Sequence, residues 1–456
     1  MANSYQDNAA FLHSQSDNSQ HRRPIAVDLF AGAGGMTLGF EQAGFDVLAA
    51  VELDPIHASV HEYNFPFWTT ICRSVSNTSA QEIRQKSVIG DLDIDVVFGG
   101  PPCQGFSLMG KRDVKDDRNS LVLSFLHLVL DLKPKYFVME NVRGMTIGKQ
   151  RSVLERVMTE FQEHGYEVLE NPQVLNAANY GVPQNRQRLF LLGCRQGLTL
   201  PSYPQAKTSA PKKSQQKKPK RSGSGRIQKS LLKTPTVAEA IGDLPEANNY
   251  PELKLQDWVL ASHGTPSEYA HRLRVPAVVK DNYAYHRQYR SELLTCSRRT
   301  NHTPHTIARF EQTTPGQSDR ISHFYRLDLA GLCTTLRAGT ASNRGAFTSP
   351  RPIHPITPRC ITVREAARLH SYPDWFMFHA TKWHGFRQIG NSVPPLLAQA
   401  IATEIIRVLE ILPVKPPQQF NLSQTELLQF KMTQAEIYHQ LETRAIPRRS
   451  VVKPLS

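Results

Sequence analysis

From Ile25 to Cys194, short apolar runs alternate with longer stretches of helical periodicity. The runs Ile25–Phe30, Val47–Glu52, Asp95–Phe98, Tyr136–Glu140 and Arg188–Gly193 have the length and hydrophobicity of buried strands. Between them, Gly35–Ala43, Pro55–Asn64, Asn119–Leu132 and Ser152–Glu163 carry the spacing of amphipathic helices. Strand and helix in alternation predict an α/β fold, a mostly parallel sheet with helices on both faces, over residues 24–194.

The pattern breaks on either side of that block. Residues 1–23 are rich in Ser, Asn, Gln and His and read as a disordered leader. Residues 195–358 show no βα alternation and predict a smaller, irregular second domain, with a basic low-complexity linker at 200–233. A helical pattern resumes from Val363 to Leu369 within a segment, 359–385, that reads as a hinge. Gln388–Val393 reads as a polar turn and Pro394–Leu409 as an apolar-striped helix, so 386–411 is expected to return to the first domain. The tail, 412–456, predicts one more amphipathic helix, about Ser423–Arg444.

Charge adds a partner to this picture. The 456 residues carry a formal net charge of +14, which points to a polyanion. Ten Lys or Arg and no acid fall between Gln205 and Ala238, so much of the excess sits in the linker. The six cysteines are scattered without a C-x-x-C pair, which suits reduced thiols in a cytoplasmic protein and offers no metal cluster. No apolar run has the length of a membrane span, and no secretion signal is visible, so no membrane partner is expected.

Four segments carry candidate chemistry. Gly99-Gly100-Pro101-Pro102-Cys103 forms a rigid turn after a buried strand and places a thiol at the sheet's carboxyl edge, where open α/β folds bind ligands. Such a cysteine reads as a nucleophile, although free cysteines also serve as core packing. Val27-Asp28-Leu29-Phe30-Ala31-Gly32-Ala33-Gly34-Gly35 is a strand, a glycine turn and a helix start, a place for close backbone approach to a ligand. About twenty residues on, Glu52 can accept hydrogen bonds from ribose hydroxyls, while the missing G-x-G-x-x-G spacing argues against a nicotinamide cofactor. Glu140 ends another strand on the Cys103 edge, and Arg186 and Arg188, two apart in an extended segment, are placed to reach one ligand together. Arg359, Thr362, Arg364 and Glu365 fit ion pairing at a helix end. His57 and His61, at i and i+4, read as a solvated face rather than metal ligands.

The ordered set of motifs resembles the DNA (cytosine-5-)methyltransferase family. The matching pieces are DLFAGAGG at 28–35, VELD at 51–54, GGPPCQGFS at 99–107, ENV at 140–142, QNRQR at 184–188, RCITVREAARLHSYP at 359–373 and QIGNSVPP at 388–395. The resemblance implies a Rossmann-like fold that uses S-adenosylmethionine and a target-recognition domain at 195–358. It implies a catalytic set of Cys103, adding to cytosine C6, Glu140, contacting N3 and the 4-amino group, and Arg186 with Arg188, holding O2. Phe30, Ala31, Gly32, Gly35, Glu52, Leu53, Pro102, Asn391 and Val393 would bind the cofactor, and no residue would bind metal. The family's acidic residue near the adenine is replaced here by the neighbourhood of Ser74.

The implied activity is methylation at C5 of a cytosine flipped out of double-stranded DNA, with a mobile loop at Gly105, Gly110 and Lys111–Asn119 closing over the base. Arg298, Arg299, Arg337, Asn343 and Arg344 are candidate base contacts. The chain is expected to be a cytoplasmic, nucleoid-associated prokaryotic monomer, either an orphan methylase or the modification half of a restriction–modification pair with a cognate endonuclease. Two rivals stay open at this point: methylation of tRNA, and a catalytically inactive DNA-binding regulator on the same fold.

Overall fold

The computed structural model describes residues 20–102, 121–210, 231–275, 279–339, 351–417 and 419–443. Cys103, the loop at Gly105, Gly110 and Lys111–Asn119, Asn343, Arg344, most of the leader and residues 211–230 of the linker lie outside them.

Eight strands build one sheet: β1 Ile25–Leu29, β2 Asp46–Glu52, β3 Thr69–Cys72, β4 Val96–Gly99, β5 Tyr136–Val142, β6 Tyr166–Val168, β7 Gln173–Asn176 and β8 Gln187–Arg195. The order is β3-β2-β1-β4-β5-β8-β6, with β7 also paired to β8. Strands β1 to β5 are mutually parallel, while β8 runs antiparallel to β5, β6 and β7. Chain order reverses at β1, between β2 and β4, which opens a crevice at the carboxyl ends of β1 and β4.

Side chains alternate along each strand into two separate cores. Val27, Leu29, Val97, Phe137, Met139, Leu189 and Leu191 face one. Ala26, Val96, Phe98, Val138, Phe190 and Leu192 face the other. Helices α3 (Ala80–Lys86), α4 (Leu121–Leu132) and α5 (Lys149–Glu163) cover the first face. Helix α1 (Gly35–Ala43) and a late helix, Pro395–Val408, cover the second. The sheet is therefore doubly covered, and the fold class is the one expected.

Helix α1 and α2 (Pro55–Asn64) have the bounds read from sequence, because their ends are written locally. Gly34 and Gly44 take left-handed φ on either side of α1, and the Asp54 side chain caps α2 just before Pro55.

Elements between Arg195 and Val363 are short. They comprise the helices α6 (Val237–Ile241), α7 (Glu268–Arg274) and α8 (Pro304–Gln312) and two-residue or three-residue strands. Then come α9 (Val363–Leu369), α10 (Lys382–Asn391), α11 (Pro395–Val408) and α12 (Met432–Tyr438). The ends of the basic linker meet, Thr208 and Ser209 pairing in parallel with Leu232 and Lys233.

Four expectations change. Gln388–Asn391 is the last turn of α10 rather than a polar turn, because Gln388, Ile389 and Gly390 are buried. The tail holds a 3-10 turn, Thr425–Leu428, and the two-turn α12 instead of one long helix. Arg22 and Arg23, assigned to the leader, are docked: Arg22 pairs with Asp95 at 2.6 Å and the buried Arg23 with Asp46 at 2.6 Å. His57 and His61 are buried, since α2 turns that face inward. His61 Nε2 and Nδ1 lie 3.0 Å from the hydroxyls of Thr37 and Thr70, and burial lowers its pKa to about 3.

Helix α9 shows the ion pairing expected of its motif. Thr362 and Glu365 form a capping box, and both amino nitrogens of Arg359 reach the Glu365 carboxylate, at 2.8 and 2.9 Å. Burial pushes Glu365 up, but the Arg359 guanidinium outweighs it and holds the carboxyl at about 2. Among the described residues, no helix is long and apolar enough to cross a membrane.

Candidate active site

A cleft of about 640 Å³ opens at the switch point, a size that admits a cofactor and a base-sized ligand. The turn after β1 supplies Phe30, Ala31, Gly32 and Gly35, and the end of β2 supplies Glu52 and Leu53. Pro102 enters after β4, and Asn391 and Val393 enter from the end of α10. All nine residues expected around the cofactor thus line one cavity, although they are spread over more than 360 positions of sequence.

Backbone geometry shapes the wall. Phe30 takes φ 66° and Gly32 φ 58°, so the chain bends sharply away from β1 and an aromatic side chain turns to the cavity. The Glu52 carboxylate ties two turns together, accepting from Gly32 N and from Asp54 N, each at 2.8 Å. Burial raises the Glu52 pKa, opposed by His57 and by those amide hydrogen bonds. Each carboxylate oxygen retains acceptor capacity toward the cleft. An acidic rim with a free carboxylate face and an aromatic wall fits a cationic nucleoside cofactor bearing ribose hydroxyls.

Glu140 and Arg188 hold the opposite wall. Arg188 Nε lies 2.8 Å from Glu140 Oε1, brought there by the antiparallel pairing of β5 with β8. Burial raises the Glu140 pKa, with Arg188 and then Arg186 pulling the other way. Residue 100 must be glycine for this: a Cβ there would stand 2.6 Å from Glu140 Oε2. Asn141 Nδ2 donates to Pro101 O at 3.0 Å, pinning the turn that leads to Cys103 against β5.

The two arginines part company. Arg188 lines the cleft, but Arg186 does not, and its buried guanidinium donates instead to the carbonyls of Leu336, Gly390 and Ser392. The expectation that both reach one ligand is corrected: residue 186 precedes the strand and turns toward α10.

Several cleft residues carry no sequence signal of their own. His57 lines the cavity with its rings' nitrogens 3.9 Å from the Glu52 and Asp54 carboxylates. Asp28, also in the cleft, accepts from Thr37 Oγ1 at 2.5 Å. Burial and then the Glu52 charge raise the Asp28 pKa to about 8 against that hydrogen bond. Ser74 and Val75 occupy the neighbourhood where the family's acid is missing. Ala338, Gly339, Arg387 and Gln388 complete the far side. Only the fold brings in His57, Ala338, Gly339 and Arg387, whereas Asp28, Ser74 and Gln388 lie in or beside the motifs read from sequence.

A doubly covered, mostly parallel sheet with this cleft at its switch point defines a Rossmann-like methyltransferase. Residues 25–407 match the model of the C-5 cytosine-specific DNA methylase family, and the chain belongs to that family. It is 52% identical over 428 residues to the Type II methyltransferase M.XorII of Xanthomonas oryzae pv. oryzae, covering 94% of this chain and 95% of the relative. Identity to the Type II methyltransferase M.DdeI of Desulfomicrobium norvegicum is 32% over 398 residues, 83% of this chain and 88% of that one. A crystal structure described as a DNA modification methyltransferase encoded within an E. coli prophage superposes with a TM-score of 0.66 at 31% identity, over 85% of this chain and 99% of that one. The activity is methylation of DNA cytosine at C5.

Proposed function

We propose that the chain methylates one cytosine of a short DNA word, flipped out of the duplex, through a covalent bond to Cys103, as the modification enzyme of a Type II restriction–modification system. The observation that carries this reading is the meeting, in one cleft, of the Glu140–Arg188 pair, the turn ending at Pro102 and the Phe30–Glu52 wall. Phe30, Gly32, Glu52, Leu53, Asn391 and Val393 would hold S-adenosylmethionine, which supplies an electrophilic methyl group when bound.

The chain's own residues carry the rest. Cytosine C5 is a weak carbon nucleophile. The Cys103 thiolate forms a bond to C6 while the Glu140 carboxyl, kept protonated more readily by burial, donates a hydrogen bond at N3. The C5–C6 electron pair is thereby released to C5, which takes the methyl group. A solvent water then takes the C5 proton, and the electron pair of that C–H bond re-forms the C5–C6 double bond as the C6–S bond breaks and the Cys103 thiolate leaves. Arg188 fixes the Glu140 carboxyl and offers donors to the cytosine O2. A base stacked in a duplex cannot meet this geometry, so extrusion must precede attack.

The segment 234–358 would read the word, with Arg298, Arg299 and Arg337 as candidate contacts. Arg337 is exposed beside the cleft residues Ala338 and Gly339, which supports its candidacy.

The test pairs one substrate with one variant. Duplex DNA with 5-fluorocytosine at the target blocks proton loss, so the wild-type enzyme should stay covalently attached, whereas Cys103→Ala should bind the duplex without an adduct. Near-normal turnover by Cys103→Ala would end the assignment. Bisulfite sequencing of DNA from an expressing host would give the word, and protection of that DNA from one nuclease would establish the restriction–modification role.

A further inference from the structure

Arg186 is fully buried, yet its hydrogen-bond partners are three carbonyls and no acid. Nη1 donates to Leu336 O at 2.7 Å, and Nη2 donates to Gly390 O and Ser392 O, each at 2.7 Å. A buried cation held by neutral groups is expensive, so such an arrangement needs a return. The return is the identity of the segments it joins. Leu336 leads into Arg337 and the cleft residues Ala338 and Gly339; Gly390 and Ser392 flank the cofactor-side Asn391; and Arg188 follows two residues along.

The neighbouring residues reinforce the same junction. Cys333 N donates to Pro183 O and Asn185 N to Cys333 O, both at 2.9 Å, while the Leu336 amide donates to Gln184 Oε1 at 3.2 Å. Gly390 then closes the remaining gap, since a Cβ there would stand 2.3 Å from Ala338 N and 2.4 Å from the Arg337 carbonyl carbon. With so little slack, a shift of the 333–339 segment is transmitted to the 390–393 wall.

We infer that Arg186 is a positioning residue that couples the DNA-facing segment 333–339 to the cofactor wall 390–393, so that each ligand strengthens the other's binding through it. The inference rests on the proposed cofactor and DNA sites. A planar guanidinium spreads its donors over a fork wide enough to bridge carbonyls on both sides, whereas a lysine ammonium gathers its three donors at one point on a differently shaped stem. Linkage requires the two ligands to raise each other's affinity by one common factor, commonly about 5–150-fold.

The experiment measures the dissociation constants of S-adenosylhomocysteine and of a duplex carrying the methylated word, each alone and each with the other saturating, for the full chain. The wild type should show one coupling factor in both directions, and Arg186→Lys should bring it close to one while changing each separate affinity less. A coupling factor retained in Arg186→Lys overturns the inference. A second measurement needs no variant: S-adenosylhomocysteine alone should slow hydrogen exchange at the amides of Cys333 and Leu336, which do not line the cleft. Unchanged exchange there also overturns it. Failure of the wild type to bind S-adenosylhomocysteine would instead remove the cofactor assignment itself, and the coupling with it.

Discussion

The sheet and the region between residues 234 and 358 solve the same problem in opposite ways. In the sheet, strand ladders satisfy the backbone and alternating apolar side chains fill the two cores. The middle region has few ladders, and arginine takes their place. Arg326 alone donates to the carbonyls of Phe310, Glu311, Thr313, Pro355 and Ile356. Arg287 from the same region is buried on Glu41 of α1, tying the region to the catalytic half. Where ladders exist, an arginine such as Arg188 is left facing the cleft; where they do not, arginine becomes scaffold. An arginine-rich composition is therefore a poor gauge of how many side chains meet DNA.

One substitution in the sheet and one at Arg359, which borders the middle region and pairs with its Glu246, sharpen that contrast. Glu140→Gln keeps shape and loses the acid, so it should slow methyl transfer by about 10²–10⁴-fold in single turnover. Calorimetric affinity for S-adenosylhomocysteine should stay near wild type, since the role proposed for Glu140 is on the base. A defect confined to cofactor affinity would reassign it. Arg359→Met should act on folding instead. It strips Glu365 of its buried partner and should cost about 3–5 kcal/mol in denaturant unfolding. The pH signature lies on the acid side: Glu365 titrates at about 2 in the fold against an ordinary 4.5, and Arg359 lowers its other partner, Glu246, as well. The Glu365 contribution is present above pH 4.5 and fades as pH falls toward 2, so this acid limb should disappear from Arg359→Met.

What could be read in advance follows from how local each cause is. The strand ends, the Gly34 and Gly44 turns and the Asp54 cap are written within a few residues, and so were legible. So was the convergence of Phe30, Glu52, Pro102 and Glu140, because parallel strands deliver their carboxyl ends to one edge. The inward turn of His57 and His61 was not, because a polar i, i+4 pair looks the same whether water or Thr37 and Thr70 receives it. Arg186 misled for a related reason. Spacing predicts which side of a strand a residue takes, but residue 186 lies before the strand and answers to carbonyls 150 to 206 positions away. Gln388–Asn391 resembled a turn until tertiary burial made it helix.

Asp28 tests the sheet's side of the comparison more gently. Its carboxyl titrates at about 8 in the fold against an ordinary 3.8, through burial and the nearby Glu52 charge. The folded state thus holds the proton longer than the unfolded one, and stability declines as pH rises through that window. Asp28→Asn can still accept from Thr37 but has no proton to lose, so its melting temperature should fall less than that of the wild type between pH 6 and pH 9. Parallel melting curves over that range would show that Asp28 ionises normally.

The smallest effect is expected from the basic linker. Residues 211–230 contain eight Lys or Arg and no acid, with Ser, Pro, Gly and Gln between them, a composition that cannot bury a core. The pairing of Thr208–Ser209 with Leu232–Lys233 fixes both ends, so neutralising the eight cations is a cleaner change than deletion. If they meet phosphates as a diffuse cation, each lost contact should flatten the slope of log affinity against log salt by about 0.9. Affinity at low salt should drop while the methylated word stays the same, because phosphates hold no sequence information. An unchanged slope would leave the tract as a spacer. A changed word would move it into the recognition surface and break the proposed division between a sheet that does chemistry and an arginine-built region that reads.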